Sequence, residues 1–245
     1  MKAIDGLFSK NIYKLALLAI GAFLFLVGYY FRVSEQLDFY RITRGIISFT
    51  FLLYIVAIHK GRSSNLISFY MLLCGIIGLF GMWFEYHAFR LLIIVLSAYS
   101  LILLAVYVSP KIKKRPLSKW FLILAILITL LNSFLLFQFI EVILDGEEEN
   151  GVYTVMLIYA LLVVLISLLV LIYNKIKKSN ASFYFTMSWF VLVISEVLRA
   201  AGYYEVGYDD VFVHLSRALF ILSNILLVCY TMVSKSEKPA VVSYI

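Results

Sequence analysis

The sequence predicts an all-α integral membrane fold of eight transmembrane helices, arranged as a 4+4 duplicated bundle, and three observations lead there. In 245 residues, 64% are hydrophobic, 14% are charged and the mean hydropathy is +1.00; soluble domains are roughly half apolar and a quarter charged. A membrane span takes about 20 mainly apolar residues, and segments of that length recur along the whole chain with short polar stretches between them. The third observation is an internal echo. KGRSSNLISFY (60–70) matches KIKKSNASFY (175–184), and SLILLAVY (100–107) matches SNILLVCY (223–230). A repeat of four spans keeps both halves in one orientation, so the expected symmetry axis runs along the membrane normal.

The first span is placed at 12–31. Lys2, Lys10 and Lys14 precede it as in a signal peptide, but the apolar run continues to Phe31, longer than a signal core, so an uncleaved span is expected. The second is 42–59 and the third 66–86, where Gly75, Gly78 and Gly81 recur every three residues and let a neighbouring helix approach closely. EYHAFR (85–90) leaves so little chain that the third and fourth (88–109) spans must meet in a very short turn or share a broken helix. The fifth, 118–143, is overlong; its Asn132 and Gln138 suit hydrogen bonds between helices. The last three are 152–173, 181–201 and 211–233. The expected organisation is a first four-helix repeat with its basic segment (1–114), a second repeat (115–234) and a cytoplasmic tail (235–245). Cys74 and Cys229 fall at different depths without paired spacing, so a disulfide is not expected.

Charge orients the chain. With the N-terminus inside, alternation puts fifteen of the 21 lysines and arginines on the inner side and twelve of the fourteen acids on the outer, the bias of cytoplasmic loops. The expected location is the bacterial cytoplasmic (inner) membrane with both termini cytoplasmic. The net charge of +7 is then an inner-face property, and stretches such as KIKKRPLSK are anchors for anionic lipid. With no aromatic interleaving and no soluble domain beside these stretches, nucleic-acid binding is excluded as a reading.

The same alternation gathers Arg32, Glu85, Glu141, Glu196, Arg44, His87, Arg90, His214 and Arg217 at the outer ends of spans, where they would surround an outward-facing vestibule. Ionisable groups at such depth face protein or water rather than lipid. His214, Arg217 and Asn224 lie close to one stripe of the eighth span. Glu196 and Arg199 are i, i+3 neighbours on the seventh. Glu196 sits toward a helix C-terminus, where the macrodipole disfavours an anion, so it needs a cationic partner, Arg199 or Arg217. Two readings stand side by side: the pair neutralises itself while snorkelling to the interface, or an outer pocket binds a headgroup, with Arg217 and His214 holding phosphate and Glu196 as acid, base or orienter. The candidate residues are therefore Glu196 as the catalytic group and Arg199, His214, Arg217, Asn224 and Glu85 as ligand-binding ones.

No cofactor or metal is expected. DGEEEN (145–150) lacks the spaced ligands of an EF-hand, His87 and His214 have no metal-binding spacing, and nucleophile elbows, phosphate loops and His-Glu-x-x-His are absent from the sequence.

Eight spans in a duplicated pattern, with VISEVL in the seventh and LSNILL in the eighth, resemble the lysoplasmalogenase-like family of membrane proteins. The resemblance implies hydrolysis of the vinyl-ether bond of lysoplasmalogens. The family's seventh-span Ser-Asp corresponds to Ser195 and Glu196; its third-span Gly-Asp corresponds to Gly78 and Leu79, so one family carboxylate is missing unless Glu85 substitutes. The expected function is thus a polytopic membrane protein with an outward-facing polar pocket for a membrane lipid or amphiphile. The alternative is a noncatalytic subunit whose charged outer rim docks a protein partner. Transport is third, because the three prolines, Pro110, Pro116 and Pro239, break no span.

Overall fold

The computed structural model describes residues 2–59, 65–112, 117–143, 150–203 and 209–236. They form eight α-helices: α1 (Lys2–Val33), α2 (Leu37–His59), α3 (Asn65–Phe80), α4 (His87–Val108), α5 (Lys119–Ile143), α6 (Asn150–Lys177), α7 (Asn180–Tyr203) and α8 (Asp209–Ser236). Each carries a stretch long and apolar enough to cross a membrane, and the described residues include no strand. In hydrocarbon the backbone must satisfy its own hydrogen bonds, which is why an apolar chain of this kind resolves into helices.

Most helices outrun the apolar runs that announce them. α2 starts at Leu37 rather than 42, and α6 continues to Lys177; hydrocarbon thickness limits the apolar stretch, whereas the helix continues until a local signal stops it. α1 stops in a Schellman turn: the Gln36 N–H donates to Phe31 O at 2.9 Å and the Glu35 N–H to Arg32 O at 3.1 Å, with Glu35 at φ 58° in the position that glycine usually fills. α3 falls furthest short, ending at Phe80, six residues before the expected boundary. A single 3-10 turn, Gly81–Trp83, follows, and Tyr86 is extended (ψ 125°) ahead of α4. The third and fourth spans therefore meet in a short turn, not a broken helix.

The neighbour order is α2, α3, α4, α6, α7, α8 and back to α2, a closed ring; α1 lies against α2 and α8, and α5 packs principally on α6. α5 is the least buried of the eight, with 6% of its most apolar window covered. Leu17, Phe51, Ile55, Met71, Val108, Val170 and Tyr230 belong to the core cluster inside the bundle.

Two close helix crossings set the registers. The most extensive contact joins α7 to α8, where small residues permit close approach. Ser188 and Ser195 on α7, seven residues apart, meet Ser223 and Ser216 on α8, also seven apart. Ser188 Oγ donates to Ser223 O at 2.8 Å, Ser223 Oγ to Ser188 O at 2.9 Å and Ser195 Oγ to Ser216 O at 2.8 Å. Seven-residue spacing, close to two helical turns, keeps such contacts on one seam. The second crossing joins α2 to α3. A Cβ on Gly78 would run into the backbone at Gly45 N and stand 2.9 Å from Arg44 C, and one on Gly75 would meet the Phe49 ring at 2.8 Å. Gly81 has open space and belongs to the turn, so only two of the three glycines serve close packing.

At the far end of the ring, Tyr107 and Tyr230 share a hydrogen bond of 2.7 Å. Lys111 Nζ donates to Tyr230 Oη at 2.9 Å and lies 3.3 Å from the centroid of the Tyr107 ring. Cys74 and Cys229 are free.

Because Gly78 meets backbone, Gly78→Ala must push α2 away at Arg44, an overpacking that costs about 1–3 kcal/mol. Thermal unfolding in detergent should show a clear drop for Gly78→Ala and no measurable change for Gly81→Ala; equal behaviour of the two would contradict the crossing.

An arginine-lined candidate site

The two crossings help bring seven helices, all but α5, around one cavity of about 450 Å³ at the end of the bundle where α1, α3 and α7 finish and α2 and α8 begin. Its wall carries five arginines, Arg32, Arg41 and Arg44 from the first half of the chain and Arg199 and Arg217 from the second, against two carboxylates, Glu85 and Glu196. Tyr40, Tyr70, Tyr159 and Phe220 add aromatic lining.

Glu196 is the organising acid. Arg199 donates to its Oε2 through Nε at 3.0 Å and Nη2 at 2.8 Å, and Arg44 donates to its Oε1 from α2. The i, i+3 partner is the expected one. Arg44 is a partner 152 residues distant in the chain, fixed by the α2–α3 crossing and packed over the Phe220 ring with its Cζ 4.1 Å from the centroid. Both carboxylate oxygens thus act as acceptors, the opposite of what a general acid needs, and suit an orienter of arginines. Arg41 pairs with Glu85, and Arg32 with Asp210 at 3.1 Å.

Arg217 is different. It is 6% exposed, its Nη2 donates to Tyr40 O at 3.0 Å and its Cζ lies 4.2 Å from the centroid of the Tyr40 ring. Among the described residues it forms no ion pair, and its buried Nη1 has no acceptor. A buried guanidinium with an empty donor is a costly arrangement unless an anion completes it.

The cavity wall therefore includes Glu196, Arg199, Arg217 and Glu85 of the sequence candidates, and leaves out two. His214 packs on Tyr29 of α1, ring centroids 5.0 Å apart, and Asn224 turns its Nδ2 back to Phe220 O on its own helix at 2.7 Å. Glu141, His87 and Arg90 also lie off the wall. Arg41, unremarked in the sequence, is on it, one turn of α2 from Arg44. Residues 145–149, the acidic turn considered for calcium, and the basic residues at 60–64 and 113–116 lie outside the described residues. Among the described residues no group of three or more His, Cys, Asp or Glu is placed to hold a metal ion. Comparison with family models, with curated proteins and with solved structures finds no match to this chain.

Glu196→Gln removes the charge that compensates Arg44 and Arg199. With side chains 18–19% exposed at the Arg44–Glu196 pair, the loss in stability should fall below the roughly 3–5 kcal/mol of a fully buried pair. Adding Arg44→Gln to Glu196→Gln should recover part of it, as read by melting in detergent; additive losses would mean that the two side chains act independently.

Proposed function

We propose that this chain is an integral membrane protein whose arginine-lined cavity holds the anionic head of a lipid or amphiphile, on a lysoplasmalogenase-like scaffold. The observation that carries the reading is Arg217, buried in the cavity wall with an N–H that has no acceptor. The surplus of arginines over carboxylates around it points to the same ligand charge, and a phosphate head offers several acceptors in a geometry that guanidinium groups match. The lysine and arginine bias of the loops supports a cavity that opens away from the cytoplasm.

We also propose that the bundle is a 4+4 duplication. Exchanging α1–α4 with α5–α8 maps the ring α2, α3, α4, α6, α7, α8 onto itself and sends α1 on α2 to α5 on α6, in accord with those neighbours, while the contact of α1 with α8 has no comparable counterpart between α5 and α4. Tyr107 and Tyr230 are matched positions of the SLILLAVY and SNILLVCY echo, and they touch each other as residues near a two-fold axis would.

A second reading, hydrolysis of a lysoplasmalogen, draws on Glu85 and Glu196 lining the same cavity, with Glu85 standing in for the acid that Leu79 replaces. Aldehyde release abolished by Glu85→Gln would favour it over binding alone.

Binding of the head itself is testable with butyl phosphate, too short to engage much apolar surface. It should raise the melting temperature of the protein in uncharged detergent, and Arg217→Gln should weaken it by about tenfold or more, since a hydrogen bond to a charged group contributes about 1.5–3 kcal/mol. No shift for the unaltered protein, or an equal one for Arg217→Gln, would count against the cavity as an anion site.

A further inference from the structure

Beside the arginine cavity lies a second one of about 130 Å³, and the two share wall: Phe84, Ser97, Tyr159, Glu196, Arg199 and Tyr203 line both. The rest of the second wall is of another chemistry. Ile94 comes from α4, Leu136, Phe139 and Ile140 from α5, Met156, Ala160 and Val163 from α6, and Val193 and Val197 from α7. Beyond the charged and polar residues of the shared wall and the indole of Trp189 it offers hydrocarbon, so the pair runs from guanidinium groups at one end to aliphatic side chains at the other.

We infer that the chamber between α4, α5, α6 and α7 takes the alkyl chain of the same molecule whose anionic head sits among the arginines, and that this molecule arrives sideways from the bilayer past α5. The inference rests on the head-binding reading above and adds the place of the tail and the route. The shared wall carries the first part, because an apolar compartment continuous with an anion site fits one occupant that has both chemistries. The packing of α5 carries the second. α5 leans principally on α6, is the least buried helix of the bundle, and exposes Leu127, Leu130, Leu131 and Phe134 on the side away from the chamber that Leu136, Phe139 and Ile140 line. A helix held by one principal neighbour moves at lower cost than any member of the closed ring. An amphiphile dissolved in the membrane already has its chain at the depth of these residues, so sideways access spares the chain from crossing water.

The probe is dodecyl phosphate with a diazirine midway along its chain, added to the protein in lipid nanodiscs, irradiated and mapped by mass spectrometry. Labelling is expected on Met156, Val193 or Phe139, and Ala160→Phe, which fills the chamber, should lower it at least severalfold while leaving the butyl phosphate shift intact. Arg217→Gln should lower the same labelling, because the head anchors the chain. Should Ala160→Phe fail to fold, Val193→Phe fills the chamber from the neighbouring helix α7 and carries the same expectation. Labelling confined to bilayer-facing residues such as Leu127 and Leu131 would overturn the chamber even with butyl phosphate binding unchanged. Chamber labelling indifferent to Arg217→Gln would overturn the claim that one molecule fills both cavities. Loss of butyl phosphate binding in the unaltered protein would instead remove the head-binding reading.

Discussion

Two pairs of serines a heptad apart hold α7 and α8 in one register, and the position of the charged residues follows from that register. The residue after Ser195 is Glu196 and the residue after Ser216 is Arg217; once Ser195 Oγ donates to Ser216 O, both charged side chains stand at the same level of the bundle and line one cavity. Lipid offers little hydrophobic drive for helix association, so short polar contacts between small residues carry more of the specificity than they do in water. The α2–α3 crossing at Gly45 and Gly78 adds the third element, because it fixes the backbone at Arg44, the partner of Glu196 across the cavity. Charge at this depth is retained only where it is neutralised or wetted. Glu196 neutralises two arginines in part, and Arg217 is left with an open donor.

The spans were legible in the sequence because bilayer thickness imposes a length on apolar runs, and eight such runs became eight helices. Their ends were less legible: Glu35 in a left-handed turn and Gly81 in a 3-10 turn are local events that a hydropathy window does not register. Within the site, the Glu196–Arg199 pair could be read directly from i, i+3 spacing. Arg44 could not be read as a partner, since the contact depends on how α2 crosses α3 and reaches α7. The stripe on α8 proved too coarse a guide: Arg217 reaches the cavity, while Asn224, two turns on, bonds to its own helix and His214 turns to α1.

The cavity is less symmetrical than the ring around it. Counted back from the Ser100–Ser223 match, Arg217 corresponds to Ile94, a buried aliphatic residue of the apolar chamber. On the duplication reading, one half supplies the anion's buried partner where the other supplies hydrocarbon, which is how two related halves come to line a compartment with a polar and an apolar end. The paired state of Glu196 also bears on chemistry. A carboxylate that accepts hydrogen bonds from two arginines keeps them in place for a ligand, and binding needs no more than that.

The most direct measurement is a native mass spectrum of the protein extracted from its own membrane in mild detergent, recorded beside Arg217→Gln. The protein is expected to carry an amphiphile with a phosphate or other anionic head, one per chain, and depleted from the variant. Protein without bound lipid, lipid retained equally by the variant, or a stoichiometric complex with another protein in place of lipid would contradict this expectation.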